Sequence, residues 1–201
     1  MIGRFIVFEG PHGSGKTTQA KLLKSYYDSR DIQSIYTKEP YLEELKPLIE
    51  KYSSKDDNVS AHMLLYLHAA DRFAHVKFIK EKLKEGYNVI SDRYVISSYV
   101  YQEIQELPLE FIEQVNSFYV EPDITFILDV PLEERKRRLK ENNRIRNTIF
   151  FKGDYLKAEE NLYQKIYRRY KNKWKKIFLI NGCIDKDKIF EEHIISLLDI
   201  I

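Results

Sequence analysis

The stretch FIVFEGPHGSGKTTQ, residues 5–19, constrains this chain more than any other. An apolar run rich in β-branched and aromatic residues ends in a loop carrying three glycines. Lys16 and two threonines then open an amphipathic segment. Gly10, Gly15, Lys16 and Thr17 satisfy the spacing G-x-x-x-x-G-K-[ST]. Glycines let backbone N–H groups turn inward, and a helix N-terminus adds partial positive charge, so a strand–loop–helix of this kind holds a polyphosphate. The expected cradle is Gly10, Pro11, His12, Gly13, Ser14, Gly15, Lys16, Thr17 and Thr18. Lys16 would reach the β- and γ-phosphates of a nucleoside triphosphate, and the Thr17 hydroxyl would sit on Mg²⁺.

The rest of the chain repeats the alternation that this opening starts. Strands are predicted at Arg4–Glu9, Gln33–Thr37, Asn88–Ser91, Ile124–Asp129 and Ile177–Ile180, all short and apolar, as strands covered on both faces should be. Helices are predicted at Lys16–Arg30, Tyr41–Tyr52, Ala61–Glu85, Pro108–Tyr119, Leu132–Asn142, Asp154–Trp174 and Lys186–Asp199. The fold class implied is α/β, a doubly wound five-stranded parallel sheet. One domain is expected over residues 1–201, with a small lid near residues 138–154, where KENNRIRNTIFFKGD loses clear periodicity.

Bulk properties exclude several classes. With 33 Lys and Arg against 31 Asp and Glu, net charge gives no reason to expect nucleic-acid binding. No apolar stretch approaches the ~18 residues of a membrane span, so no membrane partner is expected. A single cysteine, Cys183, fits a reducing compartment, and the expected address is the cytoplasm. His62 and His68, six apart, fall on different helix faces and do not read as a metal site, while His75 and His193 read as ordinary helix residues.

A triphosphate cradle serves switches, motors, regulators and kinases alike. Neither N-K-x-D nor D-x-x-G occurs, which argues against a switch GTPase. Asp92 falls at the carboxyl end of the third predicted strand, where open α/β sheets place their ligand chemistry. A carboxylate there can fix a Mg²⁺ shell, and the neighbouring Arg93 can clamp a second phosphate bidentately. A phosphotransferase is favoured.

Together these residues resemble the thymidylate kinase family of P-loop nucleoside monophosphate kinases. FEGPHGSGKTTQ is similar to the family's E-G-x-x-G-x-G-K-T-T, and TKEP at Thr37–Pro40 to its T-R-E-P. LHAADR at Leu67–Arg72, DRYVISSYVYQ at Asp92–Gln102 and EPDITFILDVPLEE at Glu121–Glu134 match further segments in order. The resemblance implies transfer of the γ-phosphoryl of Mg-ATP to dTMP, and a homodimer built through the long helices. It implies that Arg93 grips the acceptor phosphate, Arg72 and Ser98 lie at the base edge, and Tyr101 lies against the deoxyribose. Gln102 and Glu39 would support the pocket, and His68 would stand where a phenylalanine stacks on thymine.

An acceptor that is itself a phosphate monoester has a second pKa of about 6, so no general base is required and none is assigned. Cations are required. In the family an arginine covers the moving group from either the cradle or the lid. Pro11, His12, Gly13 and Ser14 include no arginine, so the lid candidates are Arg144 and Arg146, with Arg135 and Arg138 in reserve. Asp92, Lys16 and Arg93 complete the catalytic set. His12 stands where the family commonly has an acid, and it can hydrogen-bond a 3′-hydroxyl. His12 and His68 leave two other readings open: a kinase for another pyrimidine nucleotide or a deoxynucleoside, and a catalytically weak nucleotide-binding regulator.

Overall fold

The computed structural model describes residues 3–143 and 149–199. Five strands, β1 (Phe5–Glu9), β2 (Ser34–Lys38), β3 (Asn88–Asp92), β4 (Ile124–Asp129) and β5 (Ile177–Asn181), form one parallel sheet in the order β2-β3-β1-β4-β5. All five β1 residues are buried. Their alternation splits the core: Phe5 and Val7 join the cluster on one face, Ile6 and Phe8 the cluster on the other. The first face is covered by α3 (Asn58–Lys84), α4 (Val95–Ile104), α5 (Leu109–Val115) and α7 (Gly153–Tyr170). The second is covered by α1 (Lys16–Asp28) and by the C-terminal stretch, in which α8 (Lys186–Lys188) widens into a π-helix, Ile189–Ile195, before α9 (Ser196–Asp199).

The remaining helices are α2 (Lys46–Ser53) and α6 (Leu132–Glu141). Because β1 lies between β3 and β4, its carboxyl end is the point where the strand order reverses, and ligands bind in the crevice at such a point. Asp92 pairs with Phe8 across the β1–β3 ladder, which places its carboxylate beside the glycine loop.

Three predicted elements need correction. Helix α4 was not expected, because VISSYVYQEI carries the β-branched and aromatic residues of a strand. Eight of its ten residues are buried, so packing overrides local preference. Helix α3 begins three residues earlier than predicted, at Asn58, where the Asp57 side chain caps it by accepting from the Ser60 N–H at 2.7 Å. The predicted Tyr41–Tyr52 helix is a 3₁₀ turn, Glu43–Leu45, followed by α2. No helix among the described residues is long and apolar enough to cross a membrane.

Candidate active site

The cradle runs from the end of β1 into α1. Gly10 has φ 143°, and a side chain there would place its Cβ 2.7 Å from the Leu128 carbonyl oxygen. Gly15, at φ 96°, caps α1 in the left-handed conformation, where glycine alone is unstrained. Lys16 is folded back on the loop, its Nζ donating to the Pro11 carbonyl at 3.2 Å. Burial, reinforced by the nearby Arg93, pushes its ammonium down to about 7, against the pull of Asp92 and Glu9. A cavity of about 240 Å³ opens beside the loop, lined by Gly13–Gln19 together with Arg138, Asn142, Gly182 and Ile184.

Thr17 Oγ1 donates to Asp92 Oδ2 at 2.5 Å, while Asp92 Oδ1 is buried without a partner. A hydroxyl and a carboxylate side by side, with one oxygen left over, fit a hard divalent cation such as Mg²⁺.

Arg93 follows directly, with φ 75°, a left-handed backbone that a long side chain rarely adopts. That turn sends its guanidinium over the Tyr101 ring, 5.1 Å from the centroid. Its Nη1 donates to Ser97 Oγ at 2.9 Å and to Tyr163 Oη at 3.3 Å, leaving donors over for an anion. Burial opposes its charge, but Tyr101, Tyr163, Glu9 and Asp92 together hold its pKa above the ordinary arginine value.

Glu9, the last residue of β1, is fully buried and accepts from the Tyr94 and Ser97 N–H groups and from the hydroxyls of Ser97 and Tyr163. Burial raises its carboxyl above the usual range, against the opposing pull of Arg93.

His12 lies at the tip of the loop, between Tyr101 and Phe151, with ring centroids 5.2 and 4.7 Å away. Its Nδ1 bonds Glu159 Oε1 and lies 3.1 Å from Tyr101 Oη, while its N–H donates to Glu159 Oε2 at 3.0 Å. Phe150 sets its edge against Tyr101 at 5.2 Å. Tyr101 thus touches the cradle through its hydroxyl and Arg93 through its ring.

Behind these groups lies a buried charged layer. Glu39 receives Arg72 through Nε at 3.1 Å and Nη2 at 2.6 Å, and His75 Nδ1 at 3.2 Å. Burial pushes the Glu39 carboxyl up, yet Arg72 and His75 together outweigh it and hold the group below its ordinary range. Arg72 also donates to Asn116 Oδ1 and, at 3.4 Å, to the Tyr94 carbonyl. His68 is half-buried, and burial together with Arg72 drives its imidazolium down to about 4, so the ring is neutral. Gln102 is buried with its Oε1 unpartnered, and Ser98 is buried with no side-chain hydrogen bond among the described residues.

His75, expected as an ordinary helix residue, is instead fully buried between Glu39 and Thr37 and stacked on Tyr41 at 4.8 Å. Arg135 is fully buried and spends its donors on Val130, His12, Glu159 and Leu156, so it is no free cation for a lid. Arg138 reaches the cradle's cavity, bonded to Glu134 at 2.7 Å and to the Gly182 carbonyl at 2.9 Å. Arg144 and Arg146 lie outside the described residues.

Glu159, Glu9, Ser97 and Tyr163 were not picked out from sequence, and Arg135 was named there only as a reserve cation for the lid. One signal was available. The buried stripe of α7 reads Leu156, Glu159, Tyr163, Ile166, Tyr170, so an acid occupies a core position. Arg135 likewise shares the buried face of α6 with Leu139.

The family profile described as Thymidylate kinase matches residues 8–181. The chain belongs to the thymidylate kinase family. Among relatives, a probable thymidylate kinase of Pyrococcus horikoshii is 44% identical over 146 residues, 70% of this chain and 71% of that protein. One from Methanococcus aeolicus is 42% identical over 171 residues, covering 85% and 79%, and one from Methanocaldococcus jannaschii is 38% identical over 166 residues, covering 83% and 82%. The family match begins at Phe8 and ends at Asn181, so it contains the cradle, the Asp92–Arg93 corner and the Glu39–Arg72 layer together.

Proposed function

We infer that this chain is a dTMP kinase, transferring the γ-phosphoryl group of ATP to dTMP to give dTDP. The observation that carries this reading is the bridge made by Tyr101. Its hydroxyl meets His12 of the triphosphate cradle and its ring meets Arg93, so two anion seats share one wall.

Lys16 and the loop N–H groups are assigned to the donor phosphates, and Arg93 to the acceptor phosphate. Thr17 and Asp92 would hold Mg²⁺, which supplies neutralisation of charge on the donor phosphates. Alignment and neutralisation are the main requirements of phosphoryl transfer, since the acceptor arrives already deprotonated. Arg93 is held by Ser97 and Tyr163 before any ligand binds, so little ordering remains to be done.

The acceptor nucleoside is assigned to Tyr101, His68, Gln102, Ser98 and Arg72, with His12 at its sugar. Four of the five Arg72 N–H groups are engaged by Glu39, Asn116 and Tyr94, which leaves one Nη1 hydrogen for a base carbonyl. Glu39 is therefore a positioning residue for Arg72. Charge on the transferring group is assigned to Arg144 and Arg146, within a lid of residues 138–154 on a single domain.

A coupled ADP-release assay with dTMP, dUMP, dCMP and thymidine tests the reading. Preference for dTMP is expected. Preference for thymidine would make the protein a deoxynucleoside kinase, and no release with any acceptor would make it a regulator.

The protein is further proposed to pair with a second copy of itself through α3. Val59, Tyr66 and Phe73, spaced by seven, remain 68, 51 and 65% exposed along that helix. Large apolar groups recurring along one stripe suit burial against a like surface. Sedimentation should find a dimer, and Phe73→Arg combined with Tyr66→Arg should give a monomer; a monomeric wild-type chain would contradict the pairing.

A further inference from the structure

Glu159 and Arg135 form an ion pair at 2.9 Å with both side chains fully buried. Such a pair seldom adds net stability over an apolar pair of similar size, so its position asks for a reason. Both members hold the same cradle residue. Glu159 accepts from the His12 N–H at 3.0 Å, Arg135 donates to the His12 carbonyl at 3.3 Å, and Glu159 bonds the His12 ring at Nδ1. Backbone and side chain of one loop residue are thus fixed from α6 and α7 together.

An ionised carboxylate only accepts hydrogen bonds, so His12 Nδ1 must carry the proton. Tyr101 Oη, 3.1 Å from the same nitrogen, shares it. Nε2 is left with a lone pair and no partner among the described residues, on a ring whose side chain is 23% exposed. Burial opposes the Glu159 charge, but the hydrogen bond from His12 and the Arg135 guanidinium hold its carboxyl below the ordinary range. Burial, with Arg93 and Lys16 nearby, keeps a second proton off the ring.

We propose that Glu159 is a positioning residue that locks His12 in the Nδ1–H form, so that Nε2 accepts a hydrogen bond from the sugar hydroxyl of the phosphate acceptor. Acceptor choice then depends on a hydroxyl able to donate, and the discrimination is set from α7 through His12. This rests on the dTMP kinase reading above.

The test uses the full chain labelled with ¹⁵N in its histidine rings, the His12 signals being assigned by their loss in His12→Asn. Long-range ¹H–¹⁵N correlation at neutral pH should report the Nδ1–H form in the unliganded wild type, and dTMP should move the Nε2 resonance. An Nε2–H form, or an Nε2 signal indifferent to bound dTMP, overturns the proposal without any variant having to fold.

In a second arm, wild type should prefer dTMP over 3′-deoxythymidine monophosphate in kcat/KM by roughly 3- to 10-fold, the worth of one neutral hydrogen bond. Glu159→Gln, whose amide can hold either tautomer, should bring that ratio close to one. An equal loss for both acceptors would mark Glu159 as merely structural and overturn the proposal. A wild-type chain that holds the Nδ1–H form yet phosphorylates neither acceptor would sink the kinase reading and leave the tautomer lock standing.

Discussion

The two halves of the site are built on opposite plans. On the side proposed for the donor, a nine-residue loop supplies backbone groups beside an open cavity, and its one strong cation, Lys16, is folded onto its own loop through Pro11. On the side proposed for the acceptor, Arg93, Glu9, Tyr163, His12, Glu159, Arg72 and Glu39 are wired together before any ligand arrives, most of them buried. The donor side is a local device, readable as a spacing. The acceptor side is a tertiary device, held by contacts such as Glu9 to Tyr163 and His12 to Glu159 that join opposite ends of the chain.

Changes on the two sides should fail differently, and the largest effect belongs to neither wired half. Replacing Arg144 and Arg146 together should lower kcat by about 10³-fold or more while ATP binding changes little, since an arginine on the moving group acts mainly in the transition state. Surviving turnover would remove the lid assignment.

Next comes the acceptor wiring. Glu159→Ala leaves Arg135 charged and buried without its partner, and should cost about 3–5 kcal/mol of folding stability in urea titration. The surface pair of Arg137 with Glu141 offers the contrast: both groups are solvated, and Arg137→Ala should leave the urea midpoint where it was.

The donor side should instead respond to pH. Lys16 is pushed down to about 7 in the unliganded fold, whereas a bound triphosphate favours its charged form. Above pH 7, binding must therefore take up a proton, so ATP affinity should fall as pH rises, by at most about tenfold per unit. Calorimetry in buffers of different ionisation enthalpy would detect that proton, and affinity independent of pH between 7 and 9 would contradict it.

The same contrast decides what could be read from the chain beforehand. All five strands stood out as short apolar runs, and the cradle, Asp92 and Arg93 lay where a strand end and a glycine spacing put them. Helix α4 did not stand out, because its side chains favour a strand locally and only burial on nearly every side makes it helical. His75 looked like any helix histidine until β2 and Tyr41 closed over it. Glu159 and Arg135 sit on apolar stripes, where a charge means a buried partner, but their spacing cannot say that the partners are each other and His12.

The pairing of two anion seats is tested most directly by equilibrium binding of dTMP to wild type and to Arg93→Met, with thymidine, which lacks the phosphate, as the control ligand. Loss of a charged, hydrogen-bonded clamp should weaken dTMP binding by about 10- to 100-fold and leave thymidine binding unchanged. Equal dTMP affinity in the two proteins would mean that Arg93 holds no acceptor phosphate.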